Sequence, residues 1–359
     1  MKIMQVLPYF CFGGAETMCK NLCLGLRDLG HTVVAVCLYN QPTPISRQLE
    51  QAGIPVRFLD KKLGLDVSMV NKLTKLMKQE QPDVVHTHLD VIKYAALAAK
   101  LAGVARCVHT VHSVAQKEAE GKAQKIINGF YYRHGWSVPV GLSALVCQSI
   151  EEFYGLPPEK IPLVPNGIDL SRYTPKTDYR LGNPVRLVHV GRFDVPKNHK
   201  GMLEIFAKLH EQHPACRLVL VGDGDLFPQV QAQAQALGIA DCVDFCGMQA
   251  DVRPYLAQAD VFWLPSLYEG NPMTIIEAMA SGLPIAASAV GGIPDMVTDD
   301  VSALLRPCET TPMLEAINRL LDDEALRRRL GQTALAESGR FSQQTMAQGY
   351  CRVYAGHWE

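Results

Sequence analysis

Residues 265–292 read PSLYEGNPMTIIEAMASGLPIAASAVGG. A strand, Asp260 to Ser266, runs into a short loop, one helix and a second apolar strand. Asn271 is a favoured N-cap, and Pro272 suits the first helical position, where a missing N–H costs nothing. Gly282 fits the residue just past the helix end and is followed by Pro284. The helix between, Met273 to Ser281, is almost wholly apolar. Glu277 is the only charged side chain between Glu269 and Asp295. A buried carboxylate is costly unless donors meet it. Asn271, Thr274, Glu277 and Ser281 follow the helical period and form one polar stripe. The stripe starts at the helix N-terminus, where unpaired N–H groups attract anions. The pattern points to a phosphate at the helix start and hydroxyls further along. A solvated helix face is the alternative.

The same strand–helix rhythm extends outward in both directions. Lys2 to Leu7 is β-like, and Gly13-Gly14 follows just after Phe12. A helix over Ala15 to Leu29 ends at Gly30, and Thr32 to Leu38 is a second apolar strand. Such a βαβ unit implies a parallel sheet. The Gly13-Gly14-Ala15-Glu16 turn is not G-x-G-x-x-G, and no spaced acidic residue completes a dinucleotide fingerprint. A tight βα turn facing an anionic group is the better reading.

Val67 to Gln81 reads as helix, Val84 to His88 as strand, Ile92 to Leu101 as helix and Arg106 to Val111 as strand. His86 and His88 share a strand face, but no third ligand or carboxylate cluster is evident, so no metal is expected. His112 falls at the carboxyl end of its strand, where open α/β sheets place ligands; a structural histidine is the alternative. Glu118 to Trp136 is basic and aromatic, suited to packing or to a membrane interface. Ala144 to Ser149 reads as strand, followed by a helix Ile150 to Tyr154. Ile161 to Asp169 reads as a strand entering a Pro-Asn-Gly turn, the expected domain boundary.

In the second half the expected strands are Val185 to Val190, Arg217 to Val221, Val243 to Cys246, Val261 to Leu264 and Ile285 to Ser288. Helices are expected at 199–211, 226–237, 251–258 and 272–281. Asp223 and Asp225 form a D-x-D after a strand, which reads as a turn and N-cap rather than a metal site. Thr311 to Gly339 is charged, amphipathic helix, and Phe341 to Glu359 is a terminal helix.

Bulk properties narrow the class. The 359 residues exceed one ordinary core, so two domains are the expectation. No run of roughly eighteen apolar residues marks a membrane span, and the N-terminal run is too short for a signal peptide. Eleven scattered cysteines, with no C-x-x-C pair, suggest reduced cytoplasmic thiols rather than a disulfide framework or zinc site. Residues 1–165 carry 18 Lys and Arg against 13 Asp and Glu, and the remainder 17 against 23. The basic front half could favour an anionic acceptor or an anionic membrane surface at the inner face of the plasma membrane. No nucleic-acid partner is expected.

Val190-Gly191-Arg192 closes the first strand of the second half, and Lys197 follows five residues later. Arg supplies a planar fork and Lys a point charge, a pair suited to a diphosphate. With Glu269 and Glu277 they describe a site for a sugar carrying a nucleoside diphosphate.

The whole chain resembles the retaining GT-B glycosyltransferases of family 4. The matching pieces are Gly13-Gly14-Ala15-Glu16, His109–Ser113, Pro165-Asn166-Gly167-Ile168-Asp169, Gly191-Arg192 with Lys197-Asn198, Gly222-Asp223-Gly224, and Glu269-Gly270-Asn271-Pro272 through Glu277. The last is the family's E-x₇-E signature.

The resemblance implies two Rossmann-like parallel-sheet domains facing across a cleft. These would be an acceptor-side domain 1–168 and a nucleotide-sugar domain 169–340, with a helix 341–359 crossing back to the first. It implies that Arg192 and Lys197 grip the diphosphate, that Glu277 meets the ribose hydroxyls and that Glu269 sits against the donor sugar. Gly191, Gly222 and Gly270 would line the donor pocket with Asn166, Asn271, Pro272, Met273 and Thr274. Gly13 and Gly14 would approach the phosphates and His112 the sugar.

The implied reaction is metal-independent, cofactor-free retaining transfer from a UDP- or GDP-sugar to a glycan or lipid-linked acceptor. The site would be cytoplasmic. Many family members carry Phe or another apolar residue where this chain has Asn271, which leaves the donor open. Two other readings of these residues stay open: a nucleotide-sugar epimerase or phosphorylase on the same fold, and a non-catalytic nucleotide-binding module. Nothing marks the lysine that would carry pyridoxal phosphate in a phosphorylase. Intact Glu269, Glu277, Arg192 and Lys197 argue against the silent module.

Overall fold

The computed structural model describes residues 1–11, 13–119 and 121–358. The glycine turn is therefore described without Phe12, and the basic aromatic segment and terminal helix without Glu120 and Glu359. The chain divides into two compact units, Met1–Ile168 with Phe341–Glu359, and Asp169–Arg340.

The first unit holds β1 (Lys2–Leu7), β2 (Thr32–Cys37), β3 (Val56–Phe58), β4 (Val84–His88), β5 (Arg106–Val111) and β6 (Val138–Gly141). The second holds β7 (Val185–Val190), β8 (Cys216–Val221), β9 (Val243–Phe245), β10 (Val261–Leu264), β11 (Ile285–Ser288) and β12 (Leu304–Arg306). The sheet orders are β3-β2-β1-β4-β5-β6 and β12-β11-β10-β7-β8-β9. All pairings are parallel. The two orders are the same doubly wound topology, each reversing direction next to its first strand. The central strands are buried along nearly their whole length, as a sheet covered by helices on both faces requires.

Several expectations are corrected. Ala144 to Ser149 is helix, part of Ala144–Tyr154. Ser143 accepts from the Val146 N–H at its start, Gly155 ends it in the left-handed region, and Val146, Ile150 and Tyr154 bury at helical spacing. A short apolar run carries no period that separates strand from buried helix. The real strand is β6, an edge strand that admits Pro139. Ile161 to Asp169 forms only isolated bridges, because Pro162 and Pro165 remove ladder donors.

Thr311 to Gly339 is two helices, Thr310–Asp322 and Glu324–Glu337, broken where the Asp323 side chain caps the second. The helix after Asp225 starts at Phe227 with no side-chain cap, and Asp223 instead accepts from the Gly224 N–H. The short strands β3 and β12 were too brief to show a pattern.

The core of the first unit contains a polar layer. The β4 register sets Gln5 beside His86 and His88 beside Thr110. His86 Nδ1 lies 2.7 Å from the Tyr354 hydroxyl and Nε2 2.8 Å from Thr110 Oγ1, which is 2.6 Å from the Tyr350 hydroxyl. Tyr350 and Tyr354 lie on the C-terminal helix Gln343–Ala355, which packs against the helix Gly14–Asp28 of the same unit. The last segment is thus part of the first unit, and its phenols satisfy groups that would otherwise be buried without partners.

Burial pushes His86, His88 and His189 well below the ordinary imidazole range, and lowers His112 and His199 to about 4. Their folded pKa values lie below the unfolded value near 6.5, so the unfolded chain binds the extra protons. Stability from these groups is full above pH ~6.5 and is lost as pH falls toward about 4, by up to about 1.4 kcal/mol per pH unit for each histidine. Urea midpoints measured from pH 7.5 to 4.5 should fall steadily. A flat profile would contradict neutral burial.

Candidate active site

In the second unit the expected residues gather at the carboxyl ends of β7, β8 and β10, beside the point where the strand order reverses. β7 and β10 are neighbours, so the loops that follow them meet. The Leu267 N–H donates to the Pro196 carbonyl at 2.8 Å and ties these loops together. Asn198, with φ +55°, caps the helix His199–Gln212, and its Nδ2 reaches the Pro265 carbonyl at 3.2 Å.

Lys197 and Glu269 meet here. Nζ stands 2.6 Å from Glu269 Oε1, and the Ser266 hydroxyl donates to the same oxygen at 2.6 Å. Both charged side chains are largely withdrawn from solvent, with 17% and 8% of their surface exposed. Removing one partner of such a pair typically costs ~3–5 kcal/mol through the stranded charge. An ammonium has three donors, so Lys197 keeps two for an anion. Arg192 is exposed and makes no side-chain hydrogen bond or ion pair among the described residues.

The glycines keep the floor of the site low. At Gly222, with φ +146°, a Cβ would strike the Gly191 carbonyl. At Gly191 a Cβ would crowd His189 Nε2 at 2.8 Å and Lys197 Cδ at 3.3 Å. At Gly291, with φ +60°, it would strike the Glu269 carbonyl, which also accepts from the Gly292 N–H at 3.2 Å. The glycines at the end of the opening stretch therefore grip its Glu269.

The helix itself runs Met273–Ala280, so Asn271 is not its N-cap and Pro272 is not its first residue. Pro272 is the N-cap and no side-chain cap bond forms; Pro272 has an extended backbone, and the helix can begin only after it. Asn271 is buried beside it, and Gly270 precedes it in the loop. Thr274 and Glu277 are the two positions of this helix that are not fully buried, whereas Asn271 and Ser281, the other members of the expected polar stripe, are buried. Glu277 Oε1 accepts from the Tyr173 hydroxyl at 3.0 Å. Burial and the adjacent carboxylate raise the Tyr173 phenol, so it stays a proton donor. Tyr173 and Ser266 were not read from the sequence. Tyr173 lies 104 residues from Glu277, and no periodicity links them.

In the first unit, Gly13 and Gly14 open the helix Gly14–Asp28 with no side-chain cap. A Cβ at Gly14 would touch nothing among the described residues, so packing does not demand glycine there. His112 is half-buried directly after β5, with its backbone N–H donating to Glu118 Oε2 at 2.7 Å and its ring Nε2 3.0 Å from His88 Nδ1. Glu118 also holds His109 Nε2 at 2.8 Å. Asn166 is buried in the first unit beside Gly167, whose backbone packs on Ser342 and Met346. Among the described residues no group of three or more His, Cys, Asp or Glu could hold a metal ion.

The family model for group 1 glycosyl transferases matches residues 177–336, and that for glycosyltransferase family 4 matches residues 12–172. The UDP-Gal:alpha-D-GlcNAc-diphosphoundecaprenol alpha-1,3-galactosyltransferase of Escherichia coli is 31% identical over 281 residues, 73% of this chain and 72% of that protein. The chain belongs to glycosyltransferase family 4. The N-acetyl-alpha-D-glucosaminyl L-malate synthase of Bacillus anthracis is 29% identical over 282 residues, 75% of this glycosyltransferase and 73% of that one.

Among solved structures, Anabaena Alr3699/HepE in complex with UDP and glucose superimposes with a TM-score of 0.87 at 21% identity, covering 99% of this chain and 100% of that one. WaaG, a glycosyltransferase involved in lipopolysaccharide biosynthesis, gives 0.72 at 17%, covering 99% and 100%. These two likenesses carry the fold: the glycosyltransferase is of the GT-B type.

Proposed function

We propose that this glycosyltransferase moves a sugar from a UDP- or GDP-sugar to a hydroxyl of a glycan or lipid-linked acceptor, with retention of anomeric configuration and without a metal. The part-buried Lys197–Glu269 pair at the strand reversal of the second unit is the observation that carries this reading. Lys197 and Arg192 take the diphosphate. Glu277, already accepting from Tyr173, takes the ribose hydroxyls. Glu269 and the N–H groups of Asn271, Met273 and Thr274 take the donor sugar, with Gly191, Gly222 and Gly270 leaving room for it. From the first unit, Gly13 and Gly14 serve the phosphates and His112 the sugar.

In the step itself the acceptor oxygen bonds the anomeric carbon as the bond from that carbon to the diphosphate breaks. The acceptor proton passes to the departing phosphate oxygen on the same face. No protein nucleophile is needed, and the two cations offset the leaving charge in place of a metal. The E. coli relative's name specifies a UDP-galactose donor and a diphosphoundecaprenol acceptor, which supports a lipid-linked glycan as the substrate class here.

The first unit has features suited to such an acceptor. Leu63, Leu65 and Val67 are strongly exposed beside Lys61 and Lys62, and Ile126 and Phe130 are exposed on a helix carrying Lys122, Lys125 and Arg133. Apolar side chains ringed by cations suit an anionic lipid surface. No helix among the described residues is long and apolar enough to cross a membrane.

A thermal-shift screen against UDP-, GDP- and ADP-sugars should show stabilisation by one UDP or GDP donor. Turnover of that donor should persist in EDTA and fall at least ~100-fold in Lys197→Ala with circular dichroism unchanged. Full activity in that variant would refute the diphosphate role, and EDTA loss restored by Mn²⁺ would refute the metal-free reaction. The protein should sediment with vesicles containing phosphatidylglycerol and not with pure phosphatidylcholine. Equal recovery on both would remove the membrane-surface reading.

A further inference from the structure

His112 is one end of a hydrogen-bond chain that runs back into the sheet. Its Nε2 is 3.0 Å from His88 Nδ1, and His88 Nε2 is 2.8 Å from Gln5 Oε1. Gln5 is fully buried in β1, and its Nε2 donates to the Tyr354 hydroxyl at 3.2 Å. An amide has one donor end and one acceptor end. With the amino end on the phenol, the oxygen faces His88, and only a protonated His88 Nε2 can meet it. A neutral imidazole carries a single N–H, so His88 Nδ1 is an acceptor. His112 must then donate from Nε2, and its Nδ1 is left as a bare lone pair with no side-chain partner among the described residues.

The Gln5 orientation sets the direction of the rest of the layer as well. The Tyr354 hydroxyl, accepting from Gln5, donates to His86 Nδ1, and His86 Nε2–H then reaches Thr110, which donates to Tyr350. From His112 to Thr110 each group donates once along one line, which ends on the Tyr350 hydroxyl. Burial keeps His86, His88 and His112 neutral, so no second proton breaks the sequence.

We propose that Gln5 and His88 are positioning residues that lock His112 as the Nε2–H tautomer, so that its Nδ1 accepts a hydrogen bond from a sugar hydroxyl. This rests on the reading of His112 as the sugar-facing residue of the first unit. The consequence is a chemical preference. A bare nitrogen accepts from a neutral hydroxyl and repels a phosphate or carboxylate oxygen, which only a donor could hold. The site at His112 therefore selects an unsubstituted hydroxyl on the sugar and disfavours one bearing an anionic group.

The test uses the full chain labelled with [¹⁵N]histidine and long-range ¹H–¹⁵N correlation at pH 7.5, with His112 assigned from the signals lost in His112→Ala. The wild-type spectrum decides the tautomer without a variant: His112 should be protonated at Nε2 and bare at Nδ1. Gln5→Met, which lacks the acceptor, should give mixed tautomers at His88 and His112 and lower kcat on the order of tenfold, with the donor KM within about twofold. Gln5→Glu, which keeps an oxygen toward His88, should retain the wild-type tautomer. A wild-type Nδ1–H tautomer, or an unchanged tautomer in Gln5→Met, would overturn the proposal. Full turnover in His112→Ala would remove the sugar-facing reading while the spectra still decide the relay, so the two failures are distinguishable.

Discussion

A lysine and a glutamate that cannot leave each other cheaply organise the second unit. Lys197 and Glu269 are 72 residues apart and meet at 2.6 Å in a part-buried setting. In such a setting each charge depends on the other, and the loops that carry them are held accordingly. Ser266 takes part of the carboxylate, Leu267 bonds back to Pro196, Asn198 reaches Pro265, and Gly291 and Gly292 close on the Glu269 backbone. These contacts leave two ammonium donors of Lys197 unused, which the proposed function assigns to a departing diphosphate.

The two units solve a shared problem with different chemistry. Both sheets have the same strand order, and both place polar groups at the carboxyl ends near the reversal. The second uses charge. The first uses neutral groups: three imidazoles, one amide, a threonine and two phenols joined in series. Buried neutral networks hold geometry only when every member is satisfied. The C-terminal helix supplies two of the members, which gives a physical reason for the chain to return to its first unit.

Much of this was legible in the sequence. The βα rhythm set the parallel sheets, and the one carboxylate in an apolar helix, Glu277, is one of its two positions that are not fully buried. What was not legible has identifiable causes. Ala144 to Ser149 carries too short an apolar run to show a period, and its caps, Ser143 and Gly155, were the stronger signal. Edge strands β3 and β12 have three residues each and leave almost no pattern. The partners of Glu277 and Glu269, namely Tyr173, Ser266 and Lys197, come together through tertiary folding, which spacing does not encode. Nothing in the sequence marks Gln5, and His88 reads only as half of an unsupported metal motif. Only the register of β1, β4 and β5 makes them neighbours of one another and of His112.

On the proposed function, the carboxyl-end loops of the second unit form a nucleoside-diphosphate site in which Glu277 holds the ribose. Calorimetric titration of UDP and GDP into the full chain and into Glu277→Ala tests it most directly. One nucleotide should bind the wild type, and its affinity should fall ~10–100-fold in the variant, the loss of about two charge-assisted hydrogen bonds. Equal affinity in both proteins, or binding of neither nucleotide to the wild type, would contradict it.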